Sequence, residues 1–368
     1  MSRMFPARWQ VLPFSEAVKD ATAQYSKLQK SEYLEQGKFP IIDQGQQHFG
    51  GYTNDSSVIS VNSCPAIVFG DHTRVFKFID EPFCLGADGA KVLEPKVVLD
   101  KKFLFHYLSS LNIESAGYSR HFKFLKENVV PVPPLPEQKR IAAILDKADD
   151  IRRKRQQAIQ LADDFLRAVF LDMFGDPATN PKGWPVFEMS DVIEFKGGSQ
   201  PPKETFEYEE KEGYTRLVQI RDFRTDKYKT YIPDHLAKRK FEIDDVMIGR
   251  YGPPVFQILR GLTGSYNVAL MKAVPKSGAT KDFIYRLLQL PFYQEAVISN
   301  SERTAGQTGV NLDFLYRLRV PLPPPGVQAA IAEKLGRVED LLGCMRSALV
   351  DVDLIFESTS QKAFSGQL

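Results

Sequence analysis

The sequence predicts an α+β chain in which one unit, a small and mostly antiparallel sheet domain followed by a long helix, is made twice. Three observations predict it. The first is residues 130–175, a proline block followed by an uninterrupted helical pattern. Pro131, Pro133, Pro134 and Pro136 cannot sit inside a helix, because each lacks an N–H and clashes with the preceding turn. Pro136 suits a first turn, where a missing donor costs nothing. The second is residues 320–368, which align with that block without a gap: Pro131 with Pro321, Gln138 with Gln328, Ile141 with Ile331, Leu145 with Leu335 and Phe174 with Phe364. The third is the character of the stretches before each block, short apolar runs punctuated by Gly, Asp and Pro.

The elements follow in order. Arg8-Trp9-Gln10-Val11-Leu12-Pro13 opens the first unit, and residues 14–33 have helical character. Phe39-Pro40-Ile41-Ile42 predicts a short strand that runs into the loop Asp43-Gln44-Gly45-Gln46-Gln47 and then Gly50-Gly51-Tyr52-Thr53-Asn54. Residues 58–61, 66–70, 75–79 and 90–93 predict further strands, and residues 103–111 a helix. In the first long helix Ile141, Ile144, Ala148, Ile151, Ala158, Ala162, Phe165 and Val169 recur at steps of three and four, with Arg155 as the one break. Gly175 is the expected stop. A helix from Pro136 to Phe174 would be roughly 58 Å long and needs a partner along its length. The second unit repeats the order: Trp184 echoes Trp9, residues 246–252 echo 67–72, residues 264–270 echo 86–93, and residues 283–288 echo 103–108. Its helix carries the seam Leu335, Val338, Leu342, Met345, Leu349, Val352 and Phe356. The predicted division is therefore 1–130, 131–175, 176–320 and 321–368.

Composition narrows the class. The 368 residues have room for two or three domains, and 43% hydrophobic residues can fill their cores. A net charge of +2 does not by itself demand a nucleic-acid partner. Three cysteines, Cys64, Cys84 and Cys344, form neither a disulfide framework nor a C-x-x-C pair, which fits a reducing cytosol. No apolar run approaches a membrane span, so a cytoplasmic protein without membrane partners is expected.

The proline-helix blocks VPVPPLPEQKRIA and VPLPPPGVQAAIA, the ending QKAFSGQL, FPIIDQGQ with GGYT in the first unit, and GWP, FKGGSQPP and VMIGRYG in the second resemble the DNA-specificity subunit of a type I restriction–modification system. The resemblance covers the whole chain. It implies two target-recognition domains, each reading half of a split site in double-stranded DNA, separated by an antiparallel coiled coil of two long helices. It implies docking of two methyltransferase subunits and of restriction/translocase subunits. It places S-adenosylmethionine and ATP on those partners and no cofactor on this chain. The second block carries Gly326-Val327 where the first carries Pro136-Glu137, so the acidic half of a Glu-Gln pair occurs once. Glu137, Gln138, Gln328, Arg152 and Arg153 are the expected partner-facing residues; Asp149 and Asp150 beside the arginines favour a partner-facing helix side over a nucleic-acid patch.

The candidate DNA contacts of the first unit are Gln44, Gln46 and Gln47, because Gln can bond adenine edges bidentately, together with Tyr52 and Asn54 on the following turn. The bland reading is a solvated turn. In the second unit Ser199, Gln200 and Lys203 lie in a Gly/Pro loop with donors suited to phosphate, without P-loop spacing. Gln219 and Arg221 end one predicted strand, and Arg250 and Tyr251 another; Arg is the commonest reader of guanine. The alternative for Arg250 is a buried pair with Asp244 or Asp245. Residues 301–311 form a polar loop before a helix capped by Asn311. Glu94-x-Lys96 only superficially resembles a nuclease set, and no cofactor-binding glycine strand of a methyltransferase is present. The five histidines show no metal-ligand spacing. The expected protein is a non-catalytic DNA-binding subunit; the rival reading is a structural spacer or adaptor whose domains bind protein.

Overall fold

The computed structural model describes residues 5–60, 64–114, 117, 119–252, 254–303 and 309–368. The chain forms two compact units, residues 1–157 with 347–368, and residues 158–346. Each unit therefore holds part of both long helices, which run Leu135–Phe174 and Pro325–Phe364, 40 residues each. Both span the same positions of the repeat, and each is about 60 Å long.

The first unit has two four-stranded sheets. One orders its strands Val18–Asp20, Ala90–Pro95, Ala66–Gly70 and Phe76–Ile79, all antiparallel. The other orders Lys27–Leu28, Cys84–Gly86, Phe39–Ile42 and Gly51–Thr53, with both pairs to Cys84–Gly86 parallel. The second unit repeats the first of these sheets strand for strand: Ile193–Gly197, Leu270–Pro275, Val246–Gly249 and Gln257–Leu259. Its other sheet differs at one edge. Gly264–Tyr266 pairs in parallel with Tyr214–Val218, but its outer neighbour is Lys240–Phe241, which runs antiparallel. A ribbon of Gln10–Pro13 with Val129–Val132, and its counterpart of Val186–Glu188 with Arg319–Pro321, leads into each proline block. All of Ala66–Gly70 and all of Val246–Gly249 is buried, as expected for strands covered on both faces.

The helix entries are locked by a buried glutamine. Gln138 accepts from the Asp100 backbone N–H at 2.6 Å and donates to the Val98 and Pro133 carbonyls at 3.1 and 2.7 Å. Gln328 accepts from Thr280 N at 2.8 Å and donates to the Gly278 and Pro323 carbonyls at 3.2 and 2.8 Å. Asp100 and Thr280 in turn cap the helices Lys101–Ser109 and Lys281–Leu288. The far end of each long helix packs on such a capped helix: Phe364 meets Phe103 at 5.7 Å, and Phe174 meets Phe283 at 5.4 Å between ring centroids. Within the first unit the two helices run antiparallel. Arg140 donates to the Leu368 carbonyl, Arg152 lies over the Phe356 ring and Arg155 donates to the Ala348 carbonyl.

The predicted seam of the second helix is the observed one: Leu335 and Leu342 are buried, and none of its other members is exposed. The seam of the first helix is corrected. Ile151 and Phe165 are 45% and 55% exposed, while Leu145, Leu166, Phe170 and Phe174 are buried. A 3.6-residue helix drifts about 20° per heptad from a strict 3.5 repeat, so following three–four steps through the polar middle led off the contact line. Gly175 ends this helix with φ +93° and its N–H on the Leu171 carbonyl. Among the described residues no helix is long and apolar enough to cross a membrane.

Candidate nucleic-acid interface

In the first unit the glutamine loop is a closed loop built over Asp43. The carboxylate accepts from Gly45 N at 2.8 Å, and Gly50 N returns to the Ile41 carbonyl at 2.8 Å. Lys77, 4% exposed, comes up from the neighbouring sheet and donates to the Asp43 carbonyl at 2.9 Å, with its ammonium 3.6 Å from the carboxylate. Gln46, Gln47 and His48 stand exposed on the rim, and His48 lies 4.7 Å from the Phe49 ring. Although His48 is exposed overall, partial desolvation of its ring holds its pKa below the ordinary value, with the Lys77 charge acting in the same direction. Tyr52 is half-buried beside them, in T-shaped contact with Phe49.

Two candidates here bond to their own unit, Gln44 half-buried and Asn54 exposed. The Gln44 side chain accepts from His72 N at 3.3 Å and lies so close over Gly89 that any Cβ there would overlap its amide. Its hydrogen-bonding edge is used to hold two turns together rather than to face a ligand. The Asn54 side-chain Oδ1 accepts from Lys38 N at 2.9 Å, closing the strand-flanking turn.

The second unit gathers its candidates around one turn, residues 266–270. Asn267 caps that turn by accepting from Ala269 N. The Ser199 N–H reaches the Tyr266 carbonyl, Asn267 N the Val218 carbonyl, and Arg250 N the Ala269 carbonyl. The loops holding Ser199, Gln219 and Arg250 thus meet. Their side chains fare differently. The Ser199 hydroxyl is buried, away from any phosphate approach. Gln219 forms a capping box with Asp222 at the turn Ile220–Phe223, so its carbonyl is spent on the backbone. Gln200, Lys203, Arg221 and Tyr251 are exposed.

Arg250 pairs with neither Asp244 nor Asp245. Asp244 and Asp245 pair with Lys281, and Asp245 also with Lys272. The Arg250 guanidinium lies 5.3 Å from the Tyr251 ring centre, and its Nε is buried with no hydrogen-bond partner among the described residues. Beside it, Arg224 reaches Gln257, which faces Gly249 across the strand pair, and Arg221 and Lys227 lie over the exposed ring of Tyr228. Arg224, Tyr228 and Asn267 lie in the same group of loops, and nothing in their local sequence pattern distinguishes them from ordinary loop residues. Asn311 caps the helix Leu312–Arg317 as expected, while residues 304–308 of its loop lie outside the described residues.

Three expected partner contacts are corrected. Gln138 and Gln328 are 1% and 2% exposed with their amides fully engaged, so neither is available to another chain. Glu137 accepts from Arg8 at 2.7 Å and from the Trp9 indole at 3.2 Å. The carboxylate missing from the second repeat is not needed there, because the Trp184 indole donates to the Phe174 carbonyl instead. Arg153 remains 61% exposed, paired with Asp149 and Asp150; Arg152 is half-exposed on Phe356. No group of His, Cys, Asp and Glu among the described residues is arranged to hold a metal.

Comparison with known proteins fits this doubled arrangement. The model of the type I restriction modification DNA specificity domain matches residues 16–161 and again 181–346. The type I restriction enzyme MjaVIII specificity subunit of Methanocaldococcus jannaschii is 19% identical, covering 93% of this chain and 88% of its own. The EcoKI specificity subunit of Escherichia coli is 24% identical over 99% of this chain and 90% of its own. In fold, the crystal structure of a type I restriction-modification S subunit from M. genitalium superposes with a TM-score of 0.59 at 16% identity, covering 97% of this chain and 96% of that one.

Proposed function

This chain belongs to the type I restriction–modification DNA specificity family and is a sequence-specific DNA-recognition subunit, and we propose that each of its two units reads one half of a bipartite duplex site. The observation that carries this reading is the repetition of one sheet order on two sets of unlike loops. A shared scaffold with different loops supports two independent readings. In the first unit Gln46 and Gln47, with Tyr52 at their side, supply the base-facing groups. In the second, Arg250 on Tyr251 reads a base edge, and Arg221, Lys203 and Gln200 hold the backbone.

The chain itself has no catalytic role in this reading. Two methyltransferase subunits dock on the long helices, restriction/translocase subunits join them in the cytoplasm, and S-adenosylmethionine and ATP bind those partners. Apolar side chains left in water support the docking: Leu161 and Phe165 in the second unit, and Leu354 and Ile355 in the first, each more than half exposed. The test is a unit exchange. Replacing residues 9–128 by the matching unit of a relative should change one half of the motif methylated in the host and leave the other half intact. A change in both halves overturns one unit per half-site. A complex that binds protein partners but selects no DNA sequence would favour the adaptor reading.

A further inference from the structure

The glutamine loop of the first unit is held from below by the buried Lys77 and the half-buried carboxylate of Asp43. Lys77 is 4% exposed, and its ammonium meets both the carbonyl and, at 3.6 Å, the carboxylate of Asp43. Burial pulls the Lys77 pKa down, and Asp43 opposes it. The same carboxylate takes the Gly45 N–H, and the loop closes so tightly over it that a Cβ on Gly50 would lie 2.4 Å from Oδ2. Gly45 also packs against it, with a Cβ there 2.9 Å from Oδ1. Everything between these two glycines, Gln46, Gln47, His48 and Phe49, therefore takes its position from one carboxylate. That carboxylate in turn is fixed by a lysine from the opposing strand Phe76–Ile79.

We propose that Asp43 and Lys77 are positioning residues for DNA sequence selection, setting the loop that presents Gln46 and Gln47 without contacting the duplex. This rests on the reading that the loop faces DNA. A bidentate glutamine–adenine contact requires both amide atoms to arrive in register, so selectivity falls before affinity when the loop loosens. Among the described residues the second unit is built differently: its Gln219 stands at the start of the turn Ile220–Phe223, and the proposed reading side chain there is an arginine on a strand end.

The experiment uses the complete complex in a host and reads the methylated motif at base resolution, with unfolding curves of each purified variant alongside. Asp43→Ala and Lys77→Met should raise methylation at sites altered in the first half by about tenfold, with the second half read as before. Asp43→Asn keeps an acceptor for Gly45 N and the carbonyl for Lys77, and should restore selectivity to near the parent. Gly50→Ala, which pushes the carboxylate aside, should behave as Asp43→Ala. The double variant Gln46→Ala, Gln47→Ala tests the underlying reading. If it relaxes the first half while Asp43→Ala and Lys77→Met do not, the positioning role is wrong. If it changes nothing, the loop does not read DNA and the proposal falls with it. Equal loss of methylation at all sites, tracking a lower unfolding midpoint, would make the pair merely structural and also overturn the proposal.

Discussion

One place in the fold occurs in both units and carries opposite charges. The residue after Ala66–Gly70 is Asp71, and the residue after Val246–Gly249 is Arg250. Their backbones are held alike: Asp71 N donates to the Gly89 carbonyl and Arg250 N to the Ala269 carbonyl, while their own carbonyls accept from His121 N and Val310 N. Asp71 is 2% exposed and its carboxylate accepts from Phe122 N at 2.7 Å, starting a helical turn of the core. Arg250 keeps an open donor and an aromatic neighbour. The repeat thus fixes where the backbone goes, while the side chain at one point is hydrogen-bonded into the fold in one unit and is without a carboxylate partner among the described residues in the other.

The largest effects should come from breaking this contrast. Asp71→Ala strands a buried N–H and should cost about 1–3 kcal/mol of stability in a urea titration, without altering the base preference of the second half-site. Arg250→Ala should change stability by no more than about 0.5 kcal/mol. It should relax one base position of the second half by about 1–3 kcal/mol, read from competition binding with substituted duplexes. A stability loss for Arg250→Ala as large as that for Asp71→Ala would show that both residues serve the fold.

A second matched position separates the units by their response to acid. His106 and Arg286 stand at the same place on the helices Lys101–Ser109 and Lys281–Leu288, and both face a long helix: His106 bonds Asp146 at 2.8 Å, and Arg286 pairs with Glu339. Arg stays charged at any ordinary pH. His106 is buried, and desolvation holds its pKa below the usual 6.5 although Asp146 pulls the other way. The folded state therefore binds fewer protons than the unfolded one. The stability from His106 is complete above the unfolded pKa and is lost as pH falls through the folded value. Unfolding midpoints should thus decline from about pH 6.5 downward, and His106→Gln should flatten that decline. Asp146 is shifted down despite burial, through hydrogen bonds from Lys102 and His106, so its own loss comes at lower pH, below the ordinary carboxylate value. A His106→Gln variant with an unchanged pH profile would remove His106 as the source.

How much of this was legible in sequence follows from what each residue answers to. Pro131, Gln138 and their counterparts announced the repeat, and strict periodicity gave the second helix seam. The first seam was lost where Arg152 to Arg155 interrupt the apolar pattern, since helical drift is decided by packing and not by spacing. Gln46, Gln47, Arg221 and Tyr251 stand exposed, as polar and aromatic residues on a loop read from sequence are expected to. Gln44, Gln219 and Ser199 have the same chemistry but face inward, a matter of which distant turn lies beneath them. Gln138 and Gln328 were read as docking residues for the same reason. A glutamine that satisfies three buried backbone groups looks no different in sequence from one that awaits a partner.

The smallest difference between the repeats lies at the ends of their helices. Gly175 closes the first with φ +93°, and Gly366, one place further along the repeat, closes the second with φ +71° and the Gln367 N–H on the Lys362 carbonyl. Replacing glycine by alanine at such an angle costs about 1 kcal/mol from backbone strain alone. The surroundings then separate the two. A Cβ at Gly175 would stand 3.0 Å from Pro181 Cγ, in reach of a small adjustment, whereas at Gly366 it would stand 2.2 Å from Pro6 Cγ, a rigid ring that has to move. Gly175→Ala should therefore lose about 1 kcal/mol in equilibrium unfolding and Gly366→Ala distinctly more. Equal losses would mean that strain alone sets the cost, and a milder Gly366→Ala would mean that the segment holding Pro6 yields to the second helix rather than bracing it.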